Sequence, residues 1–161
     1  MNLVLWRLFR ERYGPGLDGI GGLYAAGRFH QQGTRVAYFC ADPSTAVLEI
    51  LVQTKTKEAT PDDLILGRFE FRGDISITAA STYADEPLPE HWIQDLSITR
   101  SIGGKWKAAH LSCLLQVPSV IVPEATNYIM NAEHREAAML QIVSKRRFEF
   151  DSRLLVPPSF D

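Results

Sequence analysis

Four polar residues sit in settings where a polar side chain needs a reason. Arg28 follows Ala25-Ala26-Gly27 and precedes Phe29. A guanidinium is a planar fork of donors matched to phosphate or carboxylate, and next to Gly27 it can reach a bound pyrophosphate. The same spacing fits a surface arginine on a turn. Tyr38 lies in the apolar run Val36-Ala37-Tyr38-Phe39-Cys40. Its ring can stack on another aromatic or its hydroxyl can bond a ligand, and as a core residue it would need a local hydrogen-bond partner. Glu49 is the one charge in Ser44-Thr45-Ala46-Val47-Leu48-Glu49-Ile50-Leu51-Val52. On a helical projection its neighbours are Thr45, Ala46, Val52 and Gln53. That places it either on a solvated face or at the floor of a cleft, where a carboxylate must have a partner. Ser119, in Val117-Pro118-Ser119-Val120-Ile121-Val122-Pro123, lacks the G-x-S-x-G elbow of serine hydrolases. His30, His91, His110 and His134 show no zinc-ligand spacing, and neither do Cys40 and Cys113.

The elements that must carry these residues follow from pattern. Leu3–Phe9 and Val36–Cys40 read as strands. Between them Tyr13–Gly22 is a glycine-rich loop, taken most simply as a flexible surface turn; it matches neither the dinucleotide nor the Walker fingerprint. Asp42-Pro43 is a helix start, with a capping carboxylate followed by proline at the first position, and the helix runs over about Ser44–Thr54. Leu64–Arg72 alternates as a strand, with Leu64, Leu66, Arg68, Glu70 and Arg72 on one face and Ile65, Gly67, Phe69 and Phe71 on the other. A turn at Gly73-Asp74 leads to a strand from Ile75 and Ile77. Ala79–Pro89 reads as loop, and a short helix begins at Pro89-Glu90-His91-Trp92. Thr99–Leu111 is a helix weakened by Gly103-Gly104, and Leu114–Val122 is an apolar strand region cut by Pro118. Further expectations are a loop at Asn127–Asn131, a helix at Glu133–Val143 with Ala137, Leu140 and Ile142 inward, a strand at Phe148–Phe150 and a loose tail at Val156–Asp161. Strands and helices mix without regular βαβ alternation, so the fold class is α+β.

The bulk numbers exclude several classes. At 161 residues the chain is most simply one domain with a substantial core. A net charge of −2 with no large basic block argues against a dedicated nucleic-acid binder. No run approaches the roughly 18 apolar residues of a membrane span, and the N-terminus has no signal-peptide pattern. Two reduced cysteines in a cytoplasmic protein are the expectation.

The order of these motifs resembles a known family. G-R-aromatic follows a glycine-rich lead-in, a tyrosine stands in the next strand and A-x-L-E in the next helix. P-S-V-I-V-P then leads to the N-Y-x-x-N of Asn127–Asn131, and Thr99-x-x-Ile102-Gly103 with Trp106 also fits. Together these resemble the RES-domain toxins, named for an arginine, a glutamate and a serine that look like Arg28, Glu49 and Ser119 here, with Tyr38 as the accompanying tyrosine. The features span nearly the whole chain, so 1–161 is read as one RES domain. Two stretches depart from the family pattern: Phe29-His30 stands where tryptophan-asparagine is common, and Asn131-Ala132-Glu133-His134-Arg135 where N-P-x-H-P is common.

The resemblance implies an ADP-ribosyltransferase-like mixed β core flanked by helices. It implies NAD+ as substrate, with no prosthetic group and no metal. Members look like the toxin half of bacterial type II toxin–antitoxin pairs, cleaving the nicotinamide–ribose bond by hydrolysis or phosphorolysis. Arg28, Tyr38, Glu49 and Ser119 would be catalytic. Arg28, Tyr38, Gly27, Tyr24 and Asn127 would bind NAD+, with Ser119 bonding the nicotinamide end. The implied partner is an antitoxin with an Xre-type helix-turn-helix that covers the site, with homodimerisation left open. Two alternatives stand beside this: an ADP-ribosyltransferase that modifies a protein, and a non-catalytic interaction domain in which Arg28 and Glu49 pair with each other.

Overall fold

The computed structural model describes residues 2–85 and 87–157. Its frame is one seven-stranded sheet. The strands are β1 (Val4–Arg10), β2 (Val36–Cys40), β3 (Leu64–Phe71), β4 (Ile77–Ala79), β5 (Leu114–Pro118), β6 (Thr126–Asn131) and β7 (Leu140–Arg147), in the spatial order β4-β5-β6-β2-β1-β3-β7. Only β4 and β5 run parallel. Among the described residues three α-helices accompany the sheet: the single turn α1 (Gly21–Tyr24), α2 (Pro43–Thr54) and α3 (Leu96–Ala109). This is the expected α+β class.

The strand alternation sorts side chains into clusters on the two faces. Leu5, Phe9, Phe39 and Phe69 pack together on one face. On the other, Leu8, Leu64 and Leu66 meet Val47, Ile50 and Leu51 of α2, and Val36, Leu115 and Ile129 meet Ile102 and Trp106 of α3. β1 pairs with β3 along its whole length, and β2 pairs with β6 likewise, but β1 and β2 share the single register pair Trp6↔Cys40. The sheet therefore parts between its two halves.

Local chemistry fixes both long helices. The Asp42 carboxylate accepts from the Thr45 backbone N–H (2.8 Å) and Thr45 Oγ1 (2.7 Å), with Pro43 at the first position, and α2 ends at Lys55 with φ 57°. Asp95 caps α3 by accepting from the backbone N–H groups of Ser97 and Ile98.

The C-terminal third differs from the sequence expectation. Asn127–Asn131 is no loop: it lies in β6, in full register between β5 and β2. Glu133–Val143 is no helix: Arg135–Met139 forms a 3₁₀ turn, and the chain then enters β7. Leu140 and Ile142 still face the core, but in strand register opposite Phe71 and Phe69. The free edge of β3 wins here, since its unpaired backbone groups need a partner more than the segment favours helix. Phe148–Phe150 forms no strand, although the Phe148 N–H donates to the Leu64 carbonyl (2.9 Å). The expected short helix near Pro89 is a 3₁₀ turn at Trp92–Gln94. At the start of the expected loose tail, Val156 N–H donates to the Lys55 carbonyl (2.9 Å) and holds that one residue, while 158–161 lie outside the described residues.

The glycine-rich loop is packed rather than free. Gly19 has φ +67°, and a Cβ there would sit 2.7 Å from the Val36 backbone nitrogen. The weakening of α3 by its glycine pair has a tertiary cause. A Cβ on Gly103 would clash with the Phe29 carbonyl oxygen, whereas one on Gly104 would meet open space. Gly104→Ala is therefore expected to stabilise the protein by up to about 1 kcal/mol through helix propensity. Gly103→Ala is expected to destabilise it by about 1–3 kcal/mol through overpacking. Urea denaturation of the two single variants checks the opposite signs.

Candidate active site

The parting between β1 and β2 opens into a cavity of about 540 Å³, within the roughly 300–1,000 Å³ of small-molecule sites. Trp6, Arg7 and Leu8 of β1 form one wall and Tyr38, Phe39 and Cys40 of β2 another. Gly27 and Arg28 lie at the rim loop, Glu49 comes from α2 and Asn127 from β6.

Glu49 is partly buried and held from two sides. Asn127 Nδ2 donates to its Oε1 at 2.8 Å, and Ser119 Oγ donates to the same oxygen at 3.1 Å. Ser119 Oγ in turn accepts from the Ile121 (3.1 Å) and Val122 (3.2 Å) backbone N–H groups. Remote parts of the chain therefore fix one carboxylate oxygen, leaving Oε2 without a hydrogen bond among the described residues. The solvated-face reading of Glu49 does not hold. Ser119 is 0% exposed and does not line the cavity. The expectation that it bonds a ligand is thus corrected: its hydroxyl orients Glu49 from behind. Tyr24 is 76% exposed and also absent from the cavity wall, because the α1 turn points it to solvent.

Two cations line the same cavity. Arg28 Nη1 donates to the Ile93 carbonyl (2.9 Å), its sole hydrogen-bond acceptor among the described residues. The loop carrying it is clamped by α3: Thr99 Oγ1 donates to the Arg28 carbonyl (2.6 Å) and Arg100 Nε to the Gly27 carbonyl (2.9 Å). Arg28 and Glu49 do not form an ion pair within 4.0 Å, so the pairing proposed for a non-catalytic domain is absent among the described residues.

The second cation, Arg7, carried no assigned role in the sequence. Its guanidinium lies 5.6 Å from the centre of the Phe39 ring, and its buried Nη1 has no hydrogen-bond partner among the described residues. Burial pushes its pKa down to about 10, opposed by Asp18, so it remains charged at neutral pH. The signal that could have found it is a lone charge in the otherwise apolar run Leu5-Trp6-Arg7-Leu8-Phe9.

Tyr38 presents its ring to the cavity, and its hydroxyl accepts from the Phe29 N–H at 3.1 Å. Burial raises its pKa to about 12, against the opposing effects of that N–H and of Arg100 and Arg28. Cys40 also lines the wall, but burial, with Glu49 and Asp42 adding to it, pushes its thiol up to about 12. It is therefore a neutral thiol and no ready nucleophile.

One set of described residues has metal-ligand chemistry. Cys113, His134 and Glu136 bring ligating atoms within 4.8 Å of one another, although sequence spacing gave no sign of it. It is off the cavity wall, and the Glu136 carboxylate already accepts from the Ser76 N–H (2.8 Å) and Oγ (2.6 Å).

The RES domain family profile matches residues 4–151. The chain belongs to the RES-domain family. It is 35% identical over 153 residues to "Toxin Res" of Pseudomonas putida, covering 94% of this chain and 99% of that protein. It is 27% identical over 160 residues to the "Prs ADP-ribosylating toxin" of Sphingobium, covering 96% and 98%. Its fold resembles the crystal structure of the M. tuberculosis MbcT–MbcA toxin–antitoxin complex, with TM-score 0.70 over 91% of this chain and 84% of that one, at 14% identity. In this RES domain the arginine and glutamate reach the cavity, while the serine stands behind the glutamate. No helix is long and apolar enough to cross a membrane among the described residues.

Two variants separate ligand-facing from supporting groups. Ser119→Ala leaves the Ile121 and Val122 N–H groups without their acceptor and is expected to cost about 1–3 kcal/mol of stability. Arg7→Met replaces a buried charge that has an unpartnered nitrogen, and is expected to leave the denaturation midpoint unchanged or raise it. Urea titrations of the unliganded protein check both; a clear fall for Arg7→Met would make Arg7 a structural residue.

Proposed function

We propose that this RES domain is the toxin of a toxin–antitoxin pair and acts by cleaving the nicotinamide–ribose bond of NAD+. The observation that carries the reading is a single clamped carboxylate, Glu49, in a cavity whose other charges are the cations Arg7 and Arg28. NAD+ has the complementary pattern: a doubly anionic pyrophosphate, and a ribose that becomes cationic as nicotinamide departs. Names of the curated relatives support the toxin half of this reading, and the structural neighbour, solved with an antitoxin, supports a cognate antitoxin partner. An Xre-type helix-turn-helix in that partner, a cytoplasmic location and a homodimer remain part of the proposal.

The chemistry divides among the residues. Arg28 and Arg7 bind the pyrophosphate as charge-assisted donors. Tyr38 packs against the nicotinamide end. As the C–N bond breaks, its electron pair leaves with neutral nicotinamide, and the ribose acquires oxocarbenium character, as in glycoside cleavage. Glu49 holds the ribose hydroxyls and stabilises that positive charge, which exists only near the transition state. Water or phosphate then adds to the sugar carbon and loses a proton. Ser119 and Asn127 keep the carboxylate aimed, so no reorganisation is needed at the moment of reaction.

A second reading is favoured by one finding, the ADP-ribosylating name of the Sphingobium relative. In it a protein side chain takes the place of water or phosphate. Labelled NAD+ separates the two: label in free ADP-ribose or its phosphate supports NAD+ degradation, and label on a protein supports modification.

Glu49→Gln tests the centre of the mechanism. Glutamine's Oε1 can accept from both Ser119 and Asn127, so the fold should hold while the charge is lost. NAD+ cleavage is expected to fall about 100- to 1,000-fold with affinity little changed. Arg28→Ala is expected to weaken both affinity and rate, because the pyrophosphate is charged throughout. Single-turnover cleavage and NAD+ titration measure this; near wild-type cleavage by folded Glu49→Gln would remove Glu49 from the reaction.

A further inference from the structure

Buried His30 stands directly behind Tyr38, and its contacts decide which way the Tyr38 hydroxyl points. His30 is 7% exposed. Its Nε2 lies 2.9 Å from the Ala25 carbonyl oxygen, and its Nδ1 lies 2.8 Å from the Tyr38 hydroxyl. A carbonyl oxygen only accepts, so Nε2 must carry a hydrogen. Burial lowers the imidazole pKa, the Ala25 carbonyl raises it in part, and the Arg100 charge lowers it further. The ring is then neutral at neutral pH, and with its hydrogen on Nε2 it has a bare lone pair at Nδ1. The Tyr38 hydroxyl must donate to that lone pair. The same hydroxyl oxygen accepts from Phe29 N–H at 3.1 Å, which leaves one lone pair unassigned.

We infer that His30 is a positioning residue that sets Tyr38 as a hydrogen-bond acceptor toward the cavity, selecting a substrate group that carries an N–H or O–H there. A nicotinamide carboxamide or a ribose hydroxyl has such a group, so this rests on the NAD+ reading above. The packing is built for the pair. Gly27 passes so close that a Cβ on it would lie 2.6 Å from His30 Cε1 and 2.7 Å from the Tyr38 hydroxyl. The two rings are tilted at 47° with centres 5.5 Å apart. His30 thereby links the arginine loop to β2, and the residue that follows Arg28-Phe29 fixes a group on the cavity wall.

Two near-isosteric variants split the two contacts. His30→Asn places an amide oxygen where Nδ1 stood, keeping the acceptor for Tyr38 and losing the Ala25 bond. His30→Gln places an amide N–H where Nε2 stood, keeping the Ala25 bond and losing the Tyr38 acceptor. If His30 only tied down the loop, Gln would rescue and Asn would not. The inference requires the reverse: kcat/KM for NAD+ near wild type in His30→Asn and about tenfold lower in His30→Gln. In a Tyr38→Phe background, His30→Gln should cause no further loss. Thermal unfolding of each variant confirms that it is folded. Independently of activity, nitrogen-15 NMR of the wild type should show His30 with its hydrogen on Nε2. A hydrogen on Nδ1, or folded Asn and Gln variants that fall equally or in the opposite order, overturns the inference. If the wild type consumes no NAD+, the functional reading fails, and the tautomer still decides how Tyr38 is oriented.

Discussion

The single backbone pairing between β1 and β2 is the constraint on which the rest of the structure depends. A continuous ladder there would close the sheet, but the two strands meet only at Trp6↔Cys40. Each strand is satisfied along its other edge, β1 by β3 and β2 by β6. The backbone ladder of each half-sheet is therefore complete without the other, although side chains of both share one core, and the backbone at the parting can face a ligand. Arg7 and Tyr38 come to separate walls of one cavity because their strands diverge there.

Charge in that cavity is arranged by support as much as by residue type. Glu49 would be a costly group in a mostly apolar wall if it stood alone. Ser119 and Asn127 meet that cost on one oxygen and so fix the direction of the other. The arginines are treated differently. Arg28 keeps one bond to Ile93, and Arg7 holds a buried nitrogen with no partner among the described residues. The carboxylate is thus held and aimed by neighbouring side chains, whereas each arginine keeps hydrogen-bonding capacity that the described residues do not use.

Helix α3 contributes no cavity-lining residue, yet it shapes the site. Thr99 and Arg100 hold the carbonyls of Arg28 and Gly27, and Gly103 lets the helix approach the Phe29 backbone. A locally unfavourable helix residue is thus retained for a tertiary contact, a conflict between levels of the kind that marks functional regions.

The sequence by itself determined the elements whose signals are local. The Asp42-Pro43 cap, the apolar run of β2 and the alternation of β3 need only neighbouring residues to be read. It also singled out Arg28, Tyr38, Glu49, Gly27 and Asn127, all of which line the cavity. Tertiary structure decided the rest, because the deciding partners are remote in sequence. β6 and β7 became strands through pairing with β2 and β3, against a local pattern that read as loop and helix. Ser119 came to lie behind Glu49, and Tyr24 turned to solvent. Arg7 and His30 gained roles only when burial removed water and left specific atoms to satisfy their hydrogen bonds, a condition that no spacing along the chain encodes.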